Sequence, residues 1–347
     1  MINYKLNMKH FPLLAIAALC ALPTQAQETA PKLKIGAETK VGFYNDRVGG
    51  ELRHDHSGFK GDQLNVFVDG QINEKVSFAF RQRLNKKIER NDIFQATDWM
   101  YVTYQANKNW GVSAGKEIVW IGGYEYEKAP IDVYTASEFW NNVTCFKFGV
   151  NGAYTSNSGN DTFFAQFCES SFATADRHDM FAYNLYWTGT HGIWSTTYSL
   201  NMMEYEPSKF ISYIALGNRF NMGPVTLELD LMNRAASHQT YFFKDCSVMA
   251  NLIYGVIPML NIYGKVTYDV NKTDTDADKY VMAGSELTTV SGGLEFFPVK
   301  NKKNFRVNLG VAHTSGKNTN PDGTMLNDRL TIQAGVSAKL DLFKMGY

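Results

Sequence analysis

The chain has 347 residues with 34 basic and 34 acidic side chains, so its formal net charge is zero. This balance, together with the absence of a basic run, argues against nucleic acid as a partner. Aromatic residues reach 14% and prolines number only 9, which favours strands. Mean hydropathy is negative, which argues against a helical membrane protein. A membrane barrel fits that value, because its strands alternate apolar and polar side chains.

The first residues have the pattern of an export signal. Lys5 and Lys9 precede an apolar run over residues 11–22, and small residues follow up to Ala26. The run is shorter than the roughly 20 residues that a membrane-spanning helix needs. The pattern predicts a signal peptide over residues 1–26, cleaved after Ala26, and an exported chain of residues 27–347.

From Lys32 onward, apolar residues recur at every second position, which is the period of a strand with two different faces. The segments have the length of a tilted transmembrane strand, about ten residues. The alternation predicts about sixteen strands. In chain order they lie near residues 33–43, 64–72, 76–80, 100–106, 110–114, 146–154, 163–167, 181–187, 193–202, 210–220, 225–231, 246–254, 260–268, 290–296, 305–311 and 330–342.

The connections between these strands are sorted by length. Every even connection is short, and the odd connections are mostly long and polar. Outer-membrane barrels have short turns at one end and long loops at the other, whereas a soluble sandwich has no reason for such sorting. Backbone groups at membrane depth must all be paired, so the strands must close. We therefore predict an all-β transmembrane antiparallel barrel; a soluble β protein with core aromatics is the alternative.

One long segment, residues 115–142, interrupts the alternation as the third outer connection. It is rich in aromatic and acidic side chains, and long loops of this kind are more often functional than not. We expect it to fold into the lumen and to narrow a pore. The charged residues predicted to line this constriction are Lys116, Glu117, Glu125, Glu127, Lys128, Asp132 and Glu138.

The positions between the apolar ones are expected to face the lumen. On the third strand they place Arg81, Arg83 and Lys87 in one column. The predicted basic ladder consists of Arg81, Arg83, Lys87, Lys147, Lys265 and Arg306. Acidic side chains, among them Glu38, Asp69 and Glu228, share the same wall. Fixed charges on such a wall set ion selectivity, and the mixture also fits a solvated interior with only weak preference.

The signal peptide, the strand pattern and one segment together resemble the phosphate-selective porin O and P family, in its divergent Bacteroidetes-type form. The segment reads Gly115-Lys116-Glu117, then Gly122-Gly123-Tyr124-Glu125-Tyr126-Glu127, then Ala129-Pro130-Ile131-Asp132. The resemblance implies a sixteen-stranded, trimeric channel in the outer membrane of a Gram-negative bacterium, with its third outer loop inside the lumen. It also implies that the basic ladder serves anion selectivity. The aromatic end at Tyr347 is similar to the assembly signal of such barrels, although Lys344-Met345-Gly346 breaks the alternation.

The sequence thus predicts an outer-membrane porin for passive diffusion of small hydrophilic solutes or ions, with anions such as phosphate as candidates. Its predicted partners are these solutes and membrane lipid, and the resemblance implies two further copies of the chain. We expect no catalysis, cofactor or metal. The alternative is a barrel with a plugged lumen that serves adhesion, structure or hydrolysis, the last through the paired carboxylates Glu125 and Glu127.

Two short patterns are typical of metal sites but are incomplete. Asp274, Asp276 and Asp278 have the spacing of a calcium loop, without its central glycine or its acidic twelfth residue. His54, Asp55 and His56 form an exposed polar tip in the first outer loop. In both places we expect solvated loop residues.

Overall fold

The computed structural model describes residues 31–86, 94–174, 176–237, 239, 242–299 and 303–346. The predicted signal peptide, Lys87 and Tyr347 lie outside these residues. The described strands are β1 (Lys32–Val48), β2 (Glu51–Leu52), β3 (Gly58–Gln71), β4 (Val76–Arg83), β5 (Thr97–Gln105), β6 (Trp110–Ile118), β7 (Phe146–Thr155), β8 (Asp161–Glu169), β9 (Phe181–His191), β10 (Trp194–Glu206), β11 (Lys209–Met222), β12 (Val225–Ala236), β13 (Asp245–Ile257), β14 (Leu260–Asn271), β15 (Glu286–Phe296), β16 (Phe305–Lys317) and β17 (Arg329–Met345). The described helices are α1 (Tyr124–Glu127), a 3₁₀ turn (Pro130–Asp132) and α2 (Glu138–Asn142).

The strands form one closed antiparallel sheet. Each pairs with its neighbour in sequence, and β1 pairs with both β3 and β17, which joins the two ends of the sheet. Strand β2 is a two-residue pairing within the first outer loop, so sixteen described strands build the barrel. The predicted barrel and its strand number are confirmed.

The predicted alternation has a direct physical counterpart. Val102, Leu185 and Leu200 are 51%, 58% and 55% exposed on the outer face, where lipid replaces water. The break in alternation near the end of β17 coincides with a bulge. Ile35 pairs with Phe343 and Gly36 with Asp341, so Leu342 has no opposite residue and the strand continues to Met345.

The connections follow the predicted sorting, with one exception. The fifth outer connection is a tight turn at Pro207 and Ser208, where Ser208 has a positive φ of 62°. The other outer connections are long, and residues 119–145 form the longest of those that are fully described. We call residues 119–145 the inner loop.

The main apolar core lies on the inner side of the barrel wall. Val119, Ile121 and Phe139 of the inner loop pack against inward-facing residues of β10 and β11, including Met203 and Tyr213. Two other outer loops join this core, through Phe172 and through Tyr280 and Val281. One side of the outer lumen is therefore filled with apolar side chains. In the described part of the chain no helix is long and apolar enough to cross a membrane.

Candidate functional site

The inner loop leaves the wall at the end of β6 and returns at the start of β7. Its two ends are held together by a hydrogen bond from the Val119 amide to the Cys145 carbonyl, at 2.7 Å. Between these ends, residues of the inner loop form hydrogen bonds with several other strands. The backbone hydrogen bond between its two ends fixes the base of the loop, and bonds to the barrel wall fix the rest of its path.

The first part of the inner loop runs across a row of uncharged polar side chains. Gln166 accepts from the Trp120 amide at 3.0 Å and donates to the Ile118 carbonyl at 2.9 Å. Asn201 donates to the Trp120 carbonyl, and Asn184 links Gln166 to Asn201. Because buried backbone groups need partners, this amide row on β8, β9 and β10 substitutes for a neighbouring strand.

Helix α1 is anchored by a carboxylate of the opposite wall. Asp230 on β12 accepts from the amides of Tyr124 and Glu125, at 2.9 and 2.8 Å. It fills the role of an N-cap side chain, which Gly123 cannot supply. Glu125 in turn accepts from Lys265 of β14 and from the Ser137 hydroxyl.

The middle and the end of the inner loop reach further strands. Lys40 of β1 donates to the Val133 carbonyl at 2.8 Å, and Gln333 of β17 donates to the Tyr134 carbonyl at 3.0 Å. The Glu138 amide, at the start of α2, donates to Asp269 of β14 at 2.8 Å. The loop thus bonds to β1, β8, β10, β12, β14 and β17, which surround it. We infer from these contacts that it lies inside the barrel.

Three of the seven charged residues predicted to line a constriction are bound to opposite charges. Lys128 pairs with Glu228, Asp132 with Arg306, and Glu125 with Lys265. Two of these pairs join the loop to the predicted ladder residues Lys265 and Arg306, and the third joins it to the wall acid Glu228. The loop is therefore fastened by the groups that the sequence suggested were free to act on ions.

The arginines of the predicted ladder are also neutralised. Arg81 and Arg83 both bind Asp98, at 3.3 and 2.6 Å, and Arg81 also binds Glu38 at 3.1 Å. Arg81 is almost fully buried, whereas Arg83 is partly exposed. Lys147 donates to the Ala173 carbonyl of an outer loop. The described part of the ladder is a set of bound cations and not an open basic column.

Two predicted constriction residues lie on strand β6, before the inner loop begins. Glu117 faces inward and accepts from the Ser113 hydroxyl. Lys116 lies on the other face of the strand with Ala114, because successive strand side chains alternate. Its ammonium lies 5.9 Å from the centre of the Phe148 ring and donates to the Phe94 carbonyl. Lys116 is therefore placed outside the lumen.

Two cavities flank the inner loop. The first, of about 390 Å³, lies between the loop and strands β3–β6, with Arg83, Trp99 and Glu117 on the wall and Trp120 and Glu127 on the loop. The second, of about 360 Å³, lies between the loop and strands β11–β16 and is lined by Lys128, Arg219, Tyr263 and Arg306 among others. We call them the near cavity and the far cavity. Lys128 contributes to both.

The two acids of the inner loop with resolved shifts are both held away from water. Burial raises the pKa of Glu127 above the usual range of a glutamate, and the Tyr186 hydroxyl that donates to it offsets part of this effect. Burial likewise raises the pKa of Glu138, against hydrogen bonds from Asn318 and Asn142. Glu127 lines the near cavity, so its protonation changes the charge there.

The metal-like sequence patterns do not converge. Asp278 turns inward to bind Arg234 at 2.7 Å, whereas Asp274 and Asp276 are exposed. In the first outer loop, His56 contacts Asp55 and Arg53. Among the described residues no group of three or more His, Cys, Asp or Glu side chains is placed to hold a metal ion.

Sequence reasoning missed the neutral residues that position the inner loop. The amide row is uncharged, so it did not stand out, although the two-residue period places Gln166, Asn184 and Asn201 inward. The inner apolar core was also missed. Its signal was in β11, where Ile211, Tyr213 and Ile214 make both faces apolar, a pattern typical of strands covered on both sides.

The closed barrel, the inner loop bonded to its wall and the cavities beside that loop are the architecture of an outer-membrane channel protein. The family model of the phosphate-selective porin O and P matches residues 34–205. Over this region the chain belongs to that family, and it is an outer-membrane porin. Comparison with curated proteins finds no match.

Solved structures share the fold at low identity. A trimer form of OmpT from Vibrio cholerae is 11% identical with a TM-score of 0.62, covering 90% of this chain and 100% of that one. An anion-selective porin from Comamonas acidovorans is 11% identical with a TM-score of 0.62, covering 89% and 100%. The outer-membrane channel DcaP of Acinetobacter baumannii is 13% identical with a TM-score of 0.61, covering 91% and 100%.

Proposed function

We propose that this porin is a passive diffusion channel for small hydrophilic solutes and ions, and that the inner loop narrows it. The observation that supports this most is the placement of the loop, which bonds to strands around the barrel yet leaves the near cavity open along β3–β6. A solute that passes the loop on this side meets Arg83, Trp99 and Glu127. These residues are the proposed constriction.

We further propose that its charge selectivity is weak. The described cations of the near cavity, Arg81, Arg83 and Lys128, are each bound to a carboxylate. Paired charges of opposite sign largely cancel in the field that an ion experiences a few ångströms away. The pairing supports neither a strong anion preference nor specificity for phosphate.

Recordings from the purified protein in a planar bilayer test this function. We expect stable single-channel current steps in KCl. In a salt gradient the reversal potential should stay far from the Nernst potentials of both potassium and chloride. No conductance at all would favour the plugged barrel with an adhesive or structural role. A reversal potential near the chloride limit would leave the channel in place but contradict weak selectivity.

The same preparation tests assembly and processing. We propose a homotrimer, supported by the family resemblance and by the trimer form of the Vibrio cholerae protein. Three equal conductance steps per insertion are expected, and single steps would contradict it. We also propose cleavage after Ala26, so the intact mass should equal that of residues 27–347 in the membrane-embedded protein.

A hydrolytic role receives no support from the paired carboxylates. Glu125 binds Lys265 and Ser137, whereas Glu127 binds Tyr186, so the two acids have separate partners on different strands. General acid–base chemistry needs two groups that reach one bond. We propose that the protein has no catalytic activity.

The raised pKa of Glu127 predicts a pH dependence of selectivity. As pH falls through this pKa, Glu127 becomes neutral before ordinary carboxylates do, so the near cavity becomes more positive. The permeability ratio of chloride to potassium should therefore rise on mild acidification. In Glu127→Gln the ratio should already be higher at neutral pH, and this early rise should be smaller.

The matched control is Glu74→Gln, an exposed glutamate in a short turn outside the lumen. It should keep the pH profile of the unmodified channel. An unchanged profile in Glu127→Gln would show that ions do not pass this side chain.

A further inference from the structure

The near cavity is rich in aromatic rings. Trp99 and Tyr101 of the wall face Trp120, Tyr126 and Trp140 of the inner loop. Polar side chains stand between these rings, including Gln63 and Asn141. The cavity volume of about 390 Å³ is within the range of small-molecule sites, roughly 300–1,000 Å³.

The rings are held rigidly. Trp120 stacks on Phe164 with ring centroids 4.6 Å apart and an angle of 21° between the planes. The Tyr186 ring also packs against Trp120, with centroids 5.1 Å apart. Trp99 packs against Arg81 on one side, with the guanidinium 4.7 Å from the ring centre. A ring with one covered face and a fixed position is a preorganised platform for a second flat surface.

The charges around these rings are already satisfied. Arg83 binds Asp98, Lys128 binds Glu228, and Glu127 accepts from Tyr186. A phosphate or carboxylate ligand would have to compete with these carboxylates for its cations. An uncharged ligand with many hydroxyl groups would instead use the remaining donor and acceptor positions without breaking a pair.

From these observations we propose that the near cavity binds neutral saccharides in transit, with pyranose rings stacked on Trp99, Trp120 or Trp140. The C–H groups on one face of a pyranose carry partial positive charge and match the negative face of an aromatic ring. The hydroxyl groups around its edge match Gln63, Asn141 and the paired charged groups. This inference rests on the proposed diffusion function and names its solute class.

The test is block of single-channel KCl current by maltotriose, compared with potassium phosphate. Maltotriose should reduce the current in a saturable manner, and phosphate should not. Trp99→Leu and Trp140→Leu should each raise the half-blocking concentration roughly five-fold, as expected for loss of one aromatic contact. Trp110→Leu, the same change at an exposed residue of the outer face, should leave it unchanged.

Each other result overturns the inference. A conducting channel that maltotriose does not block keeps the diffusion function but removes the saccharide site. Saturable block by phosphate instead identifies an anion site. Block that is relieved by Tyr263→Leu, in the far cavity, but not by either tryptophan change places the sugar elsewhere. A protein without KCl conductance fails at the proposed function itself.

Discussion

Replacing residues 121–143 by a Gly-Gly-Ser linker should enlarge the single-channel conductance by roughly two-fold or more, because current through a wide pore scales with its open cross-section. The linker joins Trp120 to Thr144, whose neighbours Val119 and Cys145 are already hydrogen-bonded at 2.7 Å. The deletion therefore leaves a short hairpin connection of a common length. It removes the groups that occupy the lumen without cutting the sheet.

The same change should remove saccharide block and the pH effect of Glu127, since both depend on the inner loop. A matched control is deletion of residues 53–56 in the first outer loop, whose contacts stay local, to Asp46 and among themselves. That deletion should leave the conductance unchanged. Equal conductance in the two deletion variants would mean that the inner loop does not limit the current.

The second large effect is expected at Arg234, a fully buried arginine of β12. It binds Asp245 of β13 at 2.8 Å and Asp278 of an outer loop at 2.7 Å. It also donates to Ser247 at 2.9 Å. Its loss in Arg234→Met leaves two buried carboxylates without a counter-ion. We expect a decrease in the free energy of unfolding of roughly 3–5 kcal/mol.

Urea unfolding of the protein in detergent micelles measures this loss. The control is Arg177→Met, whose exposed ion pair with Asp179 at 3.8 Å should contribute less than about 1 kcal/mol. The triple variant Arg234→Met/Asp245→Asn/Asp278→Asn should recover much of the stability, since no buried charge is left uncompensated. If Arg234→Met and Arg177→Met unfold alike, the buried network does not hold the outer loop.

The two predicted effects concern two loops, the inner loop and the outer loop of Asp278, that are both attached to strand β12. Arg234 fastens the outer loop of Asp278 above the apolar core, and Tyr280 of that loop accepts from Asn142 of the inner loop. Asp230, four residues before Arg234 on the same face of β12, binds the first amides of α1. Strand β12 therefore holds the inner loop both directly and through its neighbour.

By itself, the sequence determined the barrel, its strands and the place of the inner loop. Each strand has lipid on one side, and lipid excludes polar side chains. Apolar residues therefore recur at every second position of a strand. The sorting of short and long connections follows from the same environment. These are local patterns, and they are readable residue by residue, as in β3, β9 and β17.

Only the tertiary structure decided which charges meet. Lys40 meets Val133 and Arg306 meets Asp132 across distances of 93 and 174 residues along the chain. Such meetings depend on the stagger of the strands and on the path of the inner loop, which no local period encodes. The sequence suggested a basic ladder and an acidic loop, and in the structure Lys265 and Arg306 of the wall pair with Glu125 and Asp132 of the inner loop. Their mutual neutralisation, the amide row beneath Trp120 and the one-sided apolar core required the closed barrel.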